Sequence, residues 1–254
     1  MGIIPGRPEV TFWAYFEPDL PRAIGEQLVS AFGQLQPGAL ELINIDQVPR
    51  ERGVYQLRHR GQTVYVGKAE DLRLRLRQHR RKISGRKNIA IADMSFGSLS
   101  IHPNWAAYAP EDTVIRHYQE QTLSPWNGMG FGNHDPGRNR DMTVHPSDGW
   151  DYQYPIDENF LCEWLEAREW NGEELLKAFK VGLPYLLRYQ RTDDVRPDYE
   201  TAAIMVPEPH MSAESLLRHI AQQLNGWQAT RFPSHMILYK EHNQPYNDAV
   251  VIWP

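Results

Sequence analysis

Gly53-Val54-Tyr55-Gln56-Leu57 and Thr63-Val64-Tyr65-Val66-Gly67 are two β-prone runs with a turn containing Gly61 between them. They predict a hairpin with a tyrosine on each strand. Tyr55 and Tyr65 face the same side only if the cross-strand register has even parity, which needs an odd-numbered loop or a bulge, and Gly61 permits one. A symmetric two- or four-residue loop centred on Arg60-Gly61 would put the two hydroxyls on opposite faces and end any joint role.

The segment after the hairpin, Asp71-Leu-Arg-Leu-Arg-Leu-Arg-Gln-His79, alternates like a strand but contains no β-branched residue. Leu, Arg and Gln are good helix formers and Asp71 can cap the start, so it is read as a helix. Leu72, Leu76 and Ile83 then form one stripe, and Arg75 and His79 stack four residues apart. Met94 to Ile101 predicts a third strand, and Glu111 to Gln121 a further helix with Pro110 in its first turn. Before the hairpin, Ile24, Leu28, Ala31 and Phe32 mark a helix over Pro21 to Gln34. After it, Gly130 to Asp141 is rich in Gly, Asn and Pro.

The last hundred residues differ in character, with 9 Lys/Arg against 15 Asp/Glu. They predict helices over Asn159–Trp170 and Gly172–Tyr189, a strand over Thr201–Val206, and a helix over Ala213–Leu224 capped by Ser212. Strands at His235–Tyr239 and Asp248–Trp253 follow. The expected fold is α+β: a three-stranded antiparallel sheet flanked by helices, with an additional α+β C-terminal region. The division expected is an N-terminal helical extension over 1–50, a catalytic domain over 51–155 and a C-terminal region over 156–254.

Of the 254 residues, 41% are hydrophobic, an ordinary globular balance. No apolar run approaches the roughly 18 residues that span a bilayer, and the start has no secretory pattern. The single cysteine, Cys162, excludes an internal disulfide and a cysteine-based zinc cluster. A cytoplasmic protein is expected. Taken alone, the net charge of −5 argues against a nucleic-acid partner, but residues 51–90 carry 12 Lys/Arg against 3 Asp/Glu, leaving −14 for the rest. Segregation of this kind focuses a positive field on one segment and suits a polyanion.

Gly53-Val54-Tyr55 and Tyr65-Val66-Gly67 resemble the two tripeptides that name the GIY-YIG nuclease superfamily. Leu72-x-x-Arg75-Leu76-x-x-His79 resembles the arginine-bearing helix that follows them, Glu111 falls where the metal-binding Glu is expected, and Trp126-Asn127 resembles the terminal Asn motif. The run Gly130 to Gly137 is similar to a segment of the restriction-enzyme branch that cuts CCGCGG. Val stands for Ile in both tripeptides, and about four extra residues lie between Glu111 and Asn127, so Glu120 competes with Glu111 as the metal ligand.

The resemblance implies a type II restriction endonuclease-like enzyme that hydrolyses double-stranded DNA at a GC-rich palindrome, with Mg²⁺ as cofactor and Mn²⁺ as an acceptable substitute. It implies a homodimer and a cognate DNA methyltransferase as genetic partner. A modification-dependent or phage-defence nuclease, or a DNA-binding module with a vestigial site, are the other readings. The chemistry suits the residues. Mg²⁺ keeps most of its waters and needs only one or two carboxylates, so Glu111 alone is enough. Arg75 offers a planar fork for phosphate oxygens. Tyr55 is a candidate base or water positioner that needs a nearby cation, which Lys68 can supply. Tyr65 and His79 can bond the phosphate or the attacking water, and Asn127 can fix its neighbours. Arg73, Arg77, Arg80, Arg81, Lys82, Arg86 and Lys87 are expected to grip the DNA backbone. Asn133, His134, Arg138 and Arg140, on the glycine-rich loop, are expected to contact a groove.

Overall fold

The computed structural model describes residues 19–102, 104, 110–120, 123–132 and 137–254. Its first half runs through helix α1 (Leu20–Gln34), strand β1 (Gly38–Ala39), helix α2 (Leu42–Ile45), strands β2 (Gly53–His59) and β3 (Gln62–Ala69), helix α3 (Leu72–Ser84), strand β4 (Met94–Ser100) and helix α4 (Pro110–Glu120). β2 lies antiparallel between β3 and β4. The two-residue β1 pairs with Phe96 and Ser95 and adds a short fourth strand to the expected three.

The hairpin meets the parity condition by an unexpected route. Its loop is the symmetric two-residue turn, with Arg60 and Gly61 at φ 51° and 80°, the left-handed pair that primed hairpin turns require. Alone, this turn would separate the tyrosines. However, the register shifts between the Leu57–Tyr65 and Arg58–Thr63 pairs, so Val64 is bulged. Tyr55 opposes Gly67 and Leu57 opposes Tyr65, which returns both tyrosines to one face.

α3 packs on that face. The Asp71 side chain accepts from Leu74 N at 2.8 Å and starts the helix. Leu72, Leu76 and Ile83 are fully buried, while Leu74, which a strand would have grouped with them, is exposed. The opposite face is covered by α1 and α4, where Phe32 and Val114 pack with Val54, Val66 and Ile101.

The second half holds α5 (Trp150–Gln153), β5 (Glu169–Asn171), α6 (Gly172–Gly182), β6 (Leu186–Tyr189), α7 (Arg196–Glu200), β7 (Ala203–Met205), α8 (Ala213–Gln223), β8 (Gln228–Arg231), β9 (His235–Tyr239) and β10 (Val250–Trp253). A mixed sheet of order β10-β8-β9-β6, with β6 parallel to β9, packs against α6 and α8 over Leu175, Phe179, Leu217, Ile220 and Trp227. Ser212 caps α8 as expected, accepting from Ser215 N at 3.2 Å.

Two expectations for this half are corrected. Asn159–Trp170 is not a helix: Asp157 turns the chain by accepting from Asn159 N at 3.0 Å, Leu161 bridges to Ser212, and the stretch ends in β5. The helix expected over Gly172–Tyr189 stops at Gly182, because Pro184 disfavours helical backbone before it, and the chain continues as β6. β8 and α7 were not anticipated. β8 conceals itself because Gln228 and Thr230 are fully buried polar residues bonded to one another at 3.0 Å, which breaks the apolar pattern of a strand. No described helix is long and apolar enough to cross a membrane.

Candidate active site

The shared face of the hairpin brings Tyr55, Tyr65 and the α3 residue His79 together. Tyr55 Oη and His79 Nε2 are hydrogen-bonded at 2.7 Å. The two tyrosine rings lie 6.1 Å apart, and Tyr65 stands edge-on to His79 at 5.6 Å. Arg75, one turn before His79, is close enough to lower both tyrosine hydroxyls and to disfavour a charged imidazole. Burial outweighs it at Tyr55, whose hydroxyl is pushed up by desolvation and then by Tyr65. His79 is pushed down to about 3 by burial, by Arg75 and by Lys82. Both members of the hydrogen-bonded pair are therefore neutral at ordinary pH.

That neutrality carries a pH dependence. His79 binds a proton below its ordinary 6.5 only when unfolded, so acid favours the unfolded chain from that pH down to about 3. Urea unfolding between pH 7 and pH 4 should therefore cost the wild type up to about 1.4 kcal/mol per pH unit more than His79→Gln. Equal pH slopes for the two proteins would remove the buried neutral imidazole.

Asn127 acts on the backbone. Its Oδ1 accepts from Val66 N at 2.9 Å and its Nδ2 donates to Val66 O at 2.7 Å, clamping β3 beside Tyr65. Gly67 is needed for space: a Cβ there would stand 2.5 Å from Tyr55 Oη and 2.8 Å from Tyr65 Cε1. Gly67→Ala should cost about 1–3 kcal/mol in chemical denaturation, as overpacking does, and displace both rings.

Other expected residues are placed differently. Lys68 opposes Val54, so strand alternation puts it on the face of α1 and α4 and not on the tyrosine face. Glu111 and Glu120 lie on α4, with their side chains outside the described residues; Asn133 and His134 lie outside them altogether. Much of the basic segment is engaged within the protein. Arg73 Nε donates to Val48 O at 2.6 Å, Arg77 pairs with Asp46, and Arg81 donates to the carbonyls of Val181 and Leu183. Lys87 pairs with Glu158. Arg80 is half-buried, with an Nε that has no partner among the described residues.

Lys82 and Arg86 were expected to grip DNA and instead turn inward. Lys82 donates to Phe131 O and lies over the Phe131 and Trp150 rings, and its ammonium is pushed down to about 7 by burial and then by Arg86. Arg86 is 8% exposed and pairs with Asp151 at 2.9 Å. Lys82 lies on the stripe of α3 that also carries Arg75 and His79, while Arg86 follows the end of the helix and bridges to Ile156. Arg140 pairs with Asp151 and donates to Ser234, whereas Arg138 is exposed over the Tyr239 ring at 4.4 Å.

Sequence reasoning missed Phe131. Its ring stacks on His79 at 4.9 Å and meets Tyr65 at 5.0 Å. Its place between Gly130 and Gly132 was the available signal, since paired glycines mark a close backbone approach.

Residues 55–159 match the family model described as the Eco29kI GIY-YIG domain. Among solved structures, the chain is similar to the GIY-YIG N-terminal endonuclease domain of UvrC from Thermotoga maritima, a point mutant bound to its catalytic divalent cation. The identity is 25%, the match covers 30% of this chain and 87% of that one, and the TM-score is 0.23. No curated protein matches the chain. The matched stretch contains Tyr55, Tyr65, Arg75, His79 and Asn127, and is similar to a GIY-YIG domain over that length. The model it matches is that of a restriction-endonuclease family.

Proposed function

We propose that the protein is a metal-dependent, site-specific endonuclease of double-stranded DNA acting in a restriction–modification setting. The observation that carries this reading is the convergence of Tyr55, Tyr65 and His79 on one face within reach of Arg75. A bound divalent cation would polarise the attacking water and neutralise the leaving oxygen. The described residues hold no group of three or more His, Cys, Asp or Glu fit for a metal; the resemblance offers Glu111 of α4 as the donor, with Glu120 of the same helix as the competing candidate. A lone carboxylate suits Mg²⁺, which retains its waters, with Mn²⁺ as a substitute.

The rest falls to this chain's own side chains. With neutral His79 Nε2 as acceptor, the Tyr55 hydroxyl donates their 2.7 Å hydrogen bond, which leaves a Tyr55 oxygen lone pair to orient the water. Tyr65 offers a second hydroxyl to the same water or to the phosphate. Arg75 has no carboxylate within ion-pair distance among the described residues, so its fork is available to phosphate oxygens. Asn127 holds the strand that carries Tyr65.

The resemblance of Gly130–Gly137 supports a GC-rich palindrome, with CCGCGG as the candidate, and Arg138 is the exposed side chain suited to a groove contact. A palindrome calls for a two-fold homodimer that cuts one strand per subunit, and for a cognate methyltransferase to protect the host site. Residues 51–155 form the catalytic part in this reading, in a cytoplasmic enzyme. Supercoiled plasmid with Mg²⁺ should be cut at discrete sites, and EDTA or Glu111→Ala should abolish cutting. Run-off sequencing of the ends then gives site and stagger. Cutting confined to modified DNA would shift the reading to a modification-dependent nuclease. No cutting of either DNA would leave only a DNA-binding module.

A further inference from the structure

Residues 128–132 and 137–151 join the tyrosine face to the C-terminal sheet and are held at both ends. At the near end, Phe131 is 2% exposed, with its ring stacked on His79 at 19° between planes. Lys82 holds its carbonyl from α3. Next to it, the backbone of Gly132 bears directly on Tyr65: a Cβ there would stand 2.2 Å from Tyr65 Oη. Behind Phe131 lies Trp150, at 4.8 Å between centroids.

Polar contacts anchor the far end. Asp151 pairs with Arg86 and Arg140, and Arg140 Nε donates to Ser234 Oγ at 3.1 Å. Asp141 is 2% exposed, and its carboxylate is held from the C-terminal unit by His235 Nε2 at 2.7 Å, Tyr239 Oη at 2.9 Å, and Arg188. The His145 backbone N–H donates to Asp248 at 2.8 Å.

We infer that the C-terminal unit sets the geometry of the tyrosine–histidine pair through this segment, with Phe131 as positioning residue and Asp141 as anchor. Apolar packing alone would let the segment slide. A buried carboxylate with three directional partners specifies one seating, because any other leaves charge unpaired in a poorly solvated place. That seating fixes the Phe131 ring plane, and the ring plane limits how the His79 imidazole can turn away from Tyr55. The C-terminal unit thereby acts on the tyrosine–histidine pair at one remove. For cleavage, the inference rests on the function proposed above; the geometric coupling does not.

The test uses full-length protein with labelled histidine, the His79 ring signals being those missing from His79→Gln. Phe131→Leu keeps an apolar side chain and removes the ring, while Asp141→Asn keeps the shape and removes the charge. Both should move the His79 signals. Both should also lower the single-turnover cleavage rate about tenfold or more, with DNA affinity within about threefold, since small misplacements act on rate before binding. The double variant should lose less than the product of the single losses, as residues acting through one path do. If Asp141→Asn does not fold, Tyr239→Phe removes one donor only and takes its place. Unmoved His79 signals in the anchor variant, or fully multiplicative losses, would overturn the inference while cleavage by the wild type stood. A wild type that cuts no DNA would overturn the function, and the His79 signals would still decide the coupling.

Discussion

Arg75→Ala should lower the cleavage rate about 10²–10³-fold, the range seen when one preorganised donor to a transition-state charge is removed. Arg75 is half-buried beside Tyr55 and Tyr65, where solvent screening is weak. A phosphodiester under attack gathers charge on its non-bridging oxygens, and a planar fork matches two of them at once. Lysine keeps the charge and loses the fork, so Arg75→Lys should recover only part of the rate. Stability should hardly change, because no carboxylate among the described residues is left behind unpaired. Plasmid cleavage under single-turnover conditions, run beside thermal melts, separates these effects. An unchanged rate, or a fall matched by loss of folded protein, would take Arg75 out of the chemistry.

The largest stability effect is expected at Asp151. Its side chain is 10% exposed and is shared by Arg86, whose side chain is 4% exposed, and Arg140, at 22%. Burial opposes its ionisation, but Arg86 and Arg140 outweigh burial and hold the carboxyl below its ordinary value. Asp151→Ala leaves two guanidinium groups facing each other with Lys82 nearby and no counter-charge. Removing one member of a buried ionic set typically costs about 3–5 kcal/mol, mostly the cost of stranding the remaining charge. Asp151→Asn keeps hydrogen-bond acceptance and should cost less. Denaturant unfolding measures both; a loss under about 1 kcal/mol for the alanine variant would mean that water reaches the cluster.

This cluster also changes how the charge pattern reads. The excess of Lys and Arg over residues 51–90 pointed to a polyanion, yet Arg77, Arg81, Arg86 and Lys87 are engaged by Asp46, by carbonyls, by Asp151 and by Glu158. Part of the positive field is neutralised inside the molecule, largely by acids and carbonyls that lie far away in sequence. Composition counts charges but cannot say which of them meet.

The hairpin and the α3 stripe were legible in the sequence, because each depends on local propensity or short-range periodicity, and so was the chain order of Tyr55, Tyr65 and His79, the three that come together on one face. The reading of α3 held because Leu72 and Leu76 bury together four residues apart, a relation that spacing already contains. Whether the two tyrosines share a face was not decided locally. The two-residue turn at Arg60-Gly61 separates them and the bulge at Val64 reunites them, and a bulge depends on how both neighbouring strands settle around β2. The face assigned to Lys68, the inward turn of Lys82 and Arg86, and the place of Phe131 against His79 belong to the same class. So do β6 and β8, whose pairing partners lie across the C-terminal sheet. Residue type and spacing determined which chemistry the chain can perform. Tertiary packing decided which cations stay available for it and what holds the tyrosine–histidine pair in place, because burial and long-range pairing alone fix where a flexible charged or aromatic side chain ends.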